Sequence, residues 1–157
     1  PDYCNEGQEE WWAVSVLFPD LYVESELGTV MDFHHDRSGG LANFHVMVAG
    51  DQLEFVGFFG DVENPEYYYA PVGTIVRNMW YDFVYHVKWT ADDGGWMTAW
   101  VNGKKMLSHQ GPTLYPGIPC YLKLANYHAP TGYASMIVFD RVVRGTSRFA
   151  VSLTTLE

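Results

Sequence analysis

Apolar side chains in this chain recur at every second position, in short runs broken by turn-forming residues, and that period leaves little room for a helix. Successive side chains of a strand point to opposite faces, whereas a helix needs apolar residues three and four apart. The stretch Tyr121-Leu122-Lys123-Leu124-Ala125-Asn126-Tyr127 shows the period cleanly. Leu122 and Leu124 are expected in a core, with Tyr121, Lys123, Ala125 and Tyr127 on the opposite face. Two tyrosines flanking a lysine are poor core material. They read as the floor of a groove that holds something polar and large, with a phenol available for proton chemistry.

The same period predicts strands over 11–18, 29–35, 41–49, 52–59, 80–90, 96–101, 104–108, 121–127 and 134–143, with 149–153 closing the sheet. Between them lie turn signals: Pro19-Asp20, Asp36-Arg37-Ser38-Gly39-Gly40, Gly50-Asp51 and Ala91-Asp92-Asp93-Gly94-Gly95. Asn102-Gly103 is a two-residue hairpin signal. The segment 60–73, with Pro65 and Pro71, reads as a long loop whose Tyr67-Tyr68-Tyr69 cluster overhangs a groove. Many short strands with turn chemistry between them predict an all-β fold, an antiparallel β-sandwich or jelly roll of concanavalin-like form. At 157 residues, 1–157 is expected to form one domain. Aromatic residues make up 17% of the chain, which favours strands and carbohydrate or interface surfaces.

Nine Lys and Arg stand against nineteen Asp and Glu, a formal charge of -10. That balance argues against nucleic acid or an anionic membrane as partner, and against a strongly sulfated polyanion, because each requires basic surface. No run of about 20 apolar residues is present to span a membrane. The chain starts at Pro1 without a Met or a signal peptide, so a processed product or part of something longer is expected. Cys4 and Cys120 allow one long-range disulfide, suited to an extracellular setting, or two buried thiols.

Four blocks together resemble the jelly-roll polysaccharide lyases, the group with heparin lyase I-like enzymes, glucuronan lyases and alginate lyases. They are Trp80-Tyr81-Asp82-Phe83-Val84-Tyr85-His86-Val87-Lys88-Trp89, then Gly95-Trp96-Met97-Thr98-Ala99-Trp100-Val101-Asn102-Gly103-Lys104, the tyrosine-lysine strand, and Val138-Phe139-Asp140-Arg141-Val142-Val143-Arg144-Gly145. The third is similar to the Tyr-Phe-Lys-Ala-Gly-x-Tyr motif of alginate lyases. The match covers roughly 78–147, with a weaker one from Glu10 to Phe33. The resemblance implies β-elimination on a uronate-containing polysaccharide: a base removes the C5 proton, an acid protonates the leaving oxygen, and the developing charge on the carboxylate is neutralised. It places the proton-donating tyrosine at Tyr127 and the partner histidine, from a Gln-x-His strand, at His34 of Asp32-Phe33-His34.

Alternation shows which residues share a face with these two. Met31 and Phe33 form a core pair, so Asp32 and His34 face the groove. On 41–49, Phe44, Val46 and Val48 point inward, and Asn43, His45 and Met47 point out. The expected catalytic set is therefore Tyr127 as acid, His34 as base or proton shuttle, and Asn43 as carboxylate partner. Lys123, Tyr121 and His45 are expected to bind sugar or carboxylate, with no metal ion and no cofactor. Trp96 and Trp100 are either core anchors or sugar-stacking platforms, with the core the favoured place, and His86 is expected as a structural residue. His128 is either a substrate contact or a turn residue, and Asp92-Asp93 is explained by turn chemistry alone.

Three departures from the family pattern stand out. Asp32 occupies the Gln position and would repel a uronate unless protonated. Ala125 occupies a Gly position. The family's Arg-x-Glu strand has no counterpart before Pro1, so either an N-terminal segment or a partner chain completes the sandwich, or that piece is lost altogether. With few basic residues to gather, a glucuronan or a mixed uronate-neutral polymer fits better than heparin. The alternative is a non-catalytic carbohydrate-binding or structural module of a larger assembly, such as a virion or cell surface. Either setting is secreted or particle-associated.

Overall fold

The computed structural model describes residues 3–37 and 39–152. Eleven strands form there: β1 (Tyr3–Cys4), β2 (Glu9–Leu17), β3 (Ser25–His35), β4 (Phe44–Gly50), β5 (Gln52–Asp61) and β6 (Asn64–Thr74), then β7 (Trp80–Lys88), β8 (Trp96–Val101), β9 (Lys104–Gln110), β10 (Cys120–His128) and β11 (Val138–Gly145). They make two antiparallel sheets, in the orders β1-β10-β3-β4-β5-β6 and β11-β2-β7-β8-β9. No helix among the described residues is long and apolar enough to cross a membrane.

The inward residues of both sheets meet in a core of large rings. Phe33 and Phe44 from the first sheet meet Tyr85 of the second edge-on, with centroids 5.8 and 5.6 Å away. Phe55 meets Phe83 in the same manner at 6.0 Å. Such edge-to-face pairs add about 0.5–1.5 kcal/mol each beyond area burial. Glu10 is a charged residue inside this core. Its Oε1 accepts from Trp12 Nε1 at 2.9 Å and Trp89 Nε1 at 2.6 Å, and its Oε2 accepts from Arg144 Nε at 2.6 Å. The carboxylate thus ties β11 to β2. The Asn102-Gly103 hairpin closes as its sequence predicts, with φ of 48° and 78° at the two turn residues.

Several expectations need correction. The segment 60–73 is not a loop, because β5 extends to Asp61 and β6 starts at Asn64. Pro65 and Pro71 are tolerated because β6 is the last strand of its sheet, where one side of the backbone needs no ladder bonds. The strand expected over 134–143 begins only at Val138; before it, Ser135 and Met136 bond to the backbone of Val23 and Leu21. Residues 149–151 form a turn rather than a closing strand, and 153 lies outside the described residues.

Trp96 and Trp100 are not core anchors. Met97, Ala99 and Val101 fill the core instead, and the two tryptophans lie on the outer face. There Trp100 stacks with Trp11 at 5.6 Å, and Trp96 meets His86 edge-on at 4.3 Å. Both faces of β8 carry large apolar or aromatic residues, so alternation alone does not say which is inside. Leu122 packs against the core, but Leu124 is 36% exposed, so the core ends sooner along β10 than expected. Cys4 and Cys120 are free, buried, and directly opposite one another across β1 and β10.

Candidate active site

The outward face of the six-stranded sheet carries the candidate residues, and strand register sets their order. Lys123 of β10 pairs with Asp32 of β3, which pairs with His45 of β4. Tyr121 pairs with His34 in the next row. The strand expected over 41–49 starts at Phe44, yet the ladder reaches Asn43: its N–H donates to the Phe33 carbonyl, and its carbonyl accepts from Phe58. Asn43 thus bonds to Phe33, the residue that also pairs with its neighbour Phe44, so the alternation of β4 does not extend regularly to it. Tyr127 pairs with Thr29, and Thr29 with Met47.

A bulge in β3 between Thr29 and Met31 makes this third row work. Met31 points into the core; without the extra residue Thr29 would do the same. The bulge turns Thr29 outward beside Tyr127; β10 has its own irregularity between Leu124 and Tyr127, and Tyr127 lines the same cavity as Lys123. Gly28 is needed just beyond, since a Cβ there would lie 2.9 Å from the Tyr127 carbonyl.

Tyr127, Lys123, His34, His45, Asp32 and Phe58 line one cavity of about 450 Å³ on this face. Four of the six residues predicted for the site thus meet around one space. Tyr121 stands beside them, its ring 5.9 Å from that of His34. Asn43 does not line the cavity: expected to face out, it is fully buried, and neither amide atom has a hydrogen-bond partner. His128 also lies away from it, with Nδ1 bonded to the Ala129 carbonyl at 2.7 Å in a turn. Asp92 is occupied by its own turn, accepting from Gly94 N and Thr90 Oγ1. His86 is held on the far sheet by Glu9 at 3.0 Å and by the Trp11 ring at 3.9 Å.

Each group in the cavity has a distinct electrostatic state. His34 Nδ1 lies 2.8 Å from the His35 carbonyl. A carbonyl only accepts, so Nδ1 carries a proton there, which leaves Nε2 as the ring nitrogen available to take one. Burial, helped by His34 and Lys123, pushes His45 down to about 4, so its ring is uncharged at neutral pH. Both of its nitrogens are buried without a partner. Asp32 Oδ2 pairs with Lys123 Nζ at 3.1 Å, and Oδ1 has no partner. Burial raises the Asp32 carboxyl above its ordinary range, opposed by the bond and charge of Lys123 and by His34. Tyr127 is 71% exposed, so its hydroxyl is open to a ligand.

Sequence reasoning missed the Asp32–Lys123 pair and the part of Phe58, whose ring meets His45 edge-on at 5.7 Å. The signal for Phe58 lies in 53–59, where apolar residues occupy both faces of the strand. The outward set therefore had to cover something.

The fold is similar to that of several enzymes of known structure. An endo-β-1,4-glucuronan lyase from the fungus Trichoderma reesei superposes with a TM-score of 0.76 at 16% identity, over 93% of this chain and 71% of that one. Alginate lyase Aly36B, solved with an alginate trisaccharide, gives 0.58 at 13% identity, over 93% and 73% of the two chains. Alginate lyase AlyC3 gives 0.58 at 12% identity, over 91% and 69%. No curated protein matches the sequence. The family model for polysaccharide lyases matches residues 2–143, nearly the whole chain. With that match and the jelly-roll architecture together, the chain belongs to the polysaccharide lyase family.

Proposed function

We propose that the cavity between β10, β3 and β4 is where this polysaccharide lyase cleaves a uronate-containing chain by β-elimination. His34 Nε2 takes the C5 proton of the uronate. The electron pair forms the C4–C5 double bond as the C4–oxygen bond breaks, and the Tyr127 hydroxyl gives its proton to the leaving oxygen. Exchange with water then returns a proton to the phenolate and removes one from His34. Charge developing on the carboxylate is met by a His45 N–H and by Lys123, with the Asn43 amide behind them. Tyr121 holds the sugar beside His34. Because Asp32 takes up much of the Lys123 charge, the groove suits a polymer less charged than heparin, a glucuronan or a mixed uronate-neutral chain. A secreted or particle-borne setting fits a substrate of that size.

One observation carries this reading. Among the described residues, seven buried side-chain polar atoms lack a hydrogen-bond partner, and three of them, Asp32 Oδ1 and both ring nitrogens of His45, belong to residues that line the cavity. Buried polar groups are nearly always paired, so orphans gathered around one cavity point to a ligand that completes them. The test is the ultraviolet absorbance of the unsaturated uronate product on polyglucuronate, alginate and hyaluronan. A rise is expected on at least one polymer, and Tyr127→Phe is expected to lower its rate by about 10²–10⁴-fold. No rise on any of them would overturn the reading; an undiminished rate in the variant would remove Tyr127 from the proton transfer.

A further inference from the structure

The face that holds the cavity continues past it onto β5 and β6, where it becomes aromatic. Tyr68, Ala70 and Val72 of β6 pack against the core, so Tyr67 and Tyr69 project from the opposite face. Tyr67 is 70% exposed and Tyr69 50% exposed. Register carries the rows of the site out to them. The row of Lys123, Asp32 and His45 runs on through Val56 to Tyr69, and Phe58 pairs with Tyr67. Phe58 belongs to both regions: it lines the cavity, and its ring lies 6.4 Å from that of Tyr67. The Tyr69 hydroxyl donates to Glu54 Oε1 at 3.2 Å, which fixes that ring in place.

From this we infer that Tyr67 and Tyr69 form a distal subsite that stacks an uncharged sugar unit of the same polysaccharide whose uronate occupies the cavity. The inference rests on the lyase reading for the identity of the chain, but not for the binding surface itself. Four strand intervals of about 4.8 Å separate β10 from β6, so the two ends of the row lie about 19 Å apart, a span of several sugar units. Two exposed rings on alternate positions of a rigid strand offer flat apolar faces with little conformational entropy to lose. Charge selects the occupant. Lys123 is at the cavity end of the row, while Glu54 stands beside Tyr69 at the other end. A uronate at the tyrosine end would meet a carboxylate; a neutral sugar would not. The preferred substrate is therefore one in which uronate and uncharged sugars alternate.

The test is retardation of the native protein in gels containing polymer, comparing hyaluronan, where glucuronate alternates with an uncharged amino sugar, with polyglucuronate and alginate. The wild type is expected to be retarded most by hyaluronan. The double variant Tyr67→Ala/Tyr69→Ala should lose affinity for it on the order of tenfold. Tyr67→Phe/Tyr69→Phe keeps the ring faces and should bind as the wild type does. In turnover the alanine pair should raise KM and leave kcat unchanged. If wild-type protein makes no unsaturated product yet the alanine pair still loses hyaluronan binding, the subsite stands and the lyase reading falls. If the alanine pair binds hyaluronan as tightly as wild type, or if wild type ignores hyaluronan, the subsite is refuted whatever the activity.

Discussion

At the scale of single residues, His45 is the most consequential side chain of the site. Alternation on β4 assigns its face correctly, but not its depth. Depth is set by side chains from neighbouring strands, Phe58 among them, and the sequence of β4 holds no trace of those. The burial has a measurable consequence. A histidine whose folded pKa lies below its unfolded value adds stability that is present above the unfolded pKa and is lost as pH falls through the folded one. Here the fall is from 6.5 to about 4. At about 1.4 kcal/mol per unit, this makes a contribution of about 3 kcal/mol that disappears between those two pH values. Urea unfolding at pH 7 and pH 4 should therefore show wild type losing about 3 kcal/mol more than His45→Gln. The other titrating groups, Asp32 included, are common to both proteins and cancel. Equal losses would mean that the ring is solvated rather than held dry for a ligand.

The elements show where sequence reading succeeds and where it stops. β10 was legible because its faces differ so sharply in chemistry that Leu122 and Lys123 leave no doubt about direction. β6 was not, because prolines mark loops until one knows that the strand lies at an edge. The β3 bulge that turns Thr29 toward Tyr127 has no sequence mark at all; it arises only from pairing three strands in register. A second hidden device holds β6 in place. A Cβ on Gly57 would come within 2.0 Å of the Tyr68 ring, so the ring lies directly across the glycine. That ring is also stacked on His109 at 3.7 Å, which resists its displacement. Gly57→Ala should cost about 1–3 kcal/mol as overpacking. In a Tyr68→Ala background the added methyl should cost little, since the space is then vacant. Chemical denaturation of the four proteins gives the coupling directly, and a cost unchanged by removing the ring would assign the glycine to backbone geometry instead.

For the whole molecule, the balance of charge is plain from the sequence, but the pairing of its few cations is not. Arg77 pairs with Glu24, Arg144 with Glu10, and Arg37 with Glu63, all away from the cavity. Among the described residues, Lys123 is the one Lys or Arg lining the cavity, and it is shared with Asp32. A molecule of formal charge -10 thus presents its polyanionic substrate with a groove of little net charge inside a repulsive field. The reach of that field depends on salt, with a screening length of about 30 Å at 0.01 M and about 8 Å at 0.15 M. Raising the ionic strength between those values should lower KM for a uronate polymer by screening repulsion, with kcat unchanged. A groove lined with cations would behave in the opposite way, because salt would then weaken the attraction that draws the polymer in. The effect should be largest for a homouronate chain and smaller for one diluted with uncharged sugars, since repulsion grows with the charge brought into the field. Steady-state kinetics on polyglucuronate and hyaluronan across that range measure both trends. A KM that rises with salt would show that local cations outweigh the net charge, and would shift the expected substrate back toward densely charged polymers.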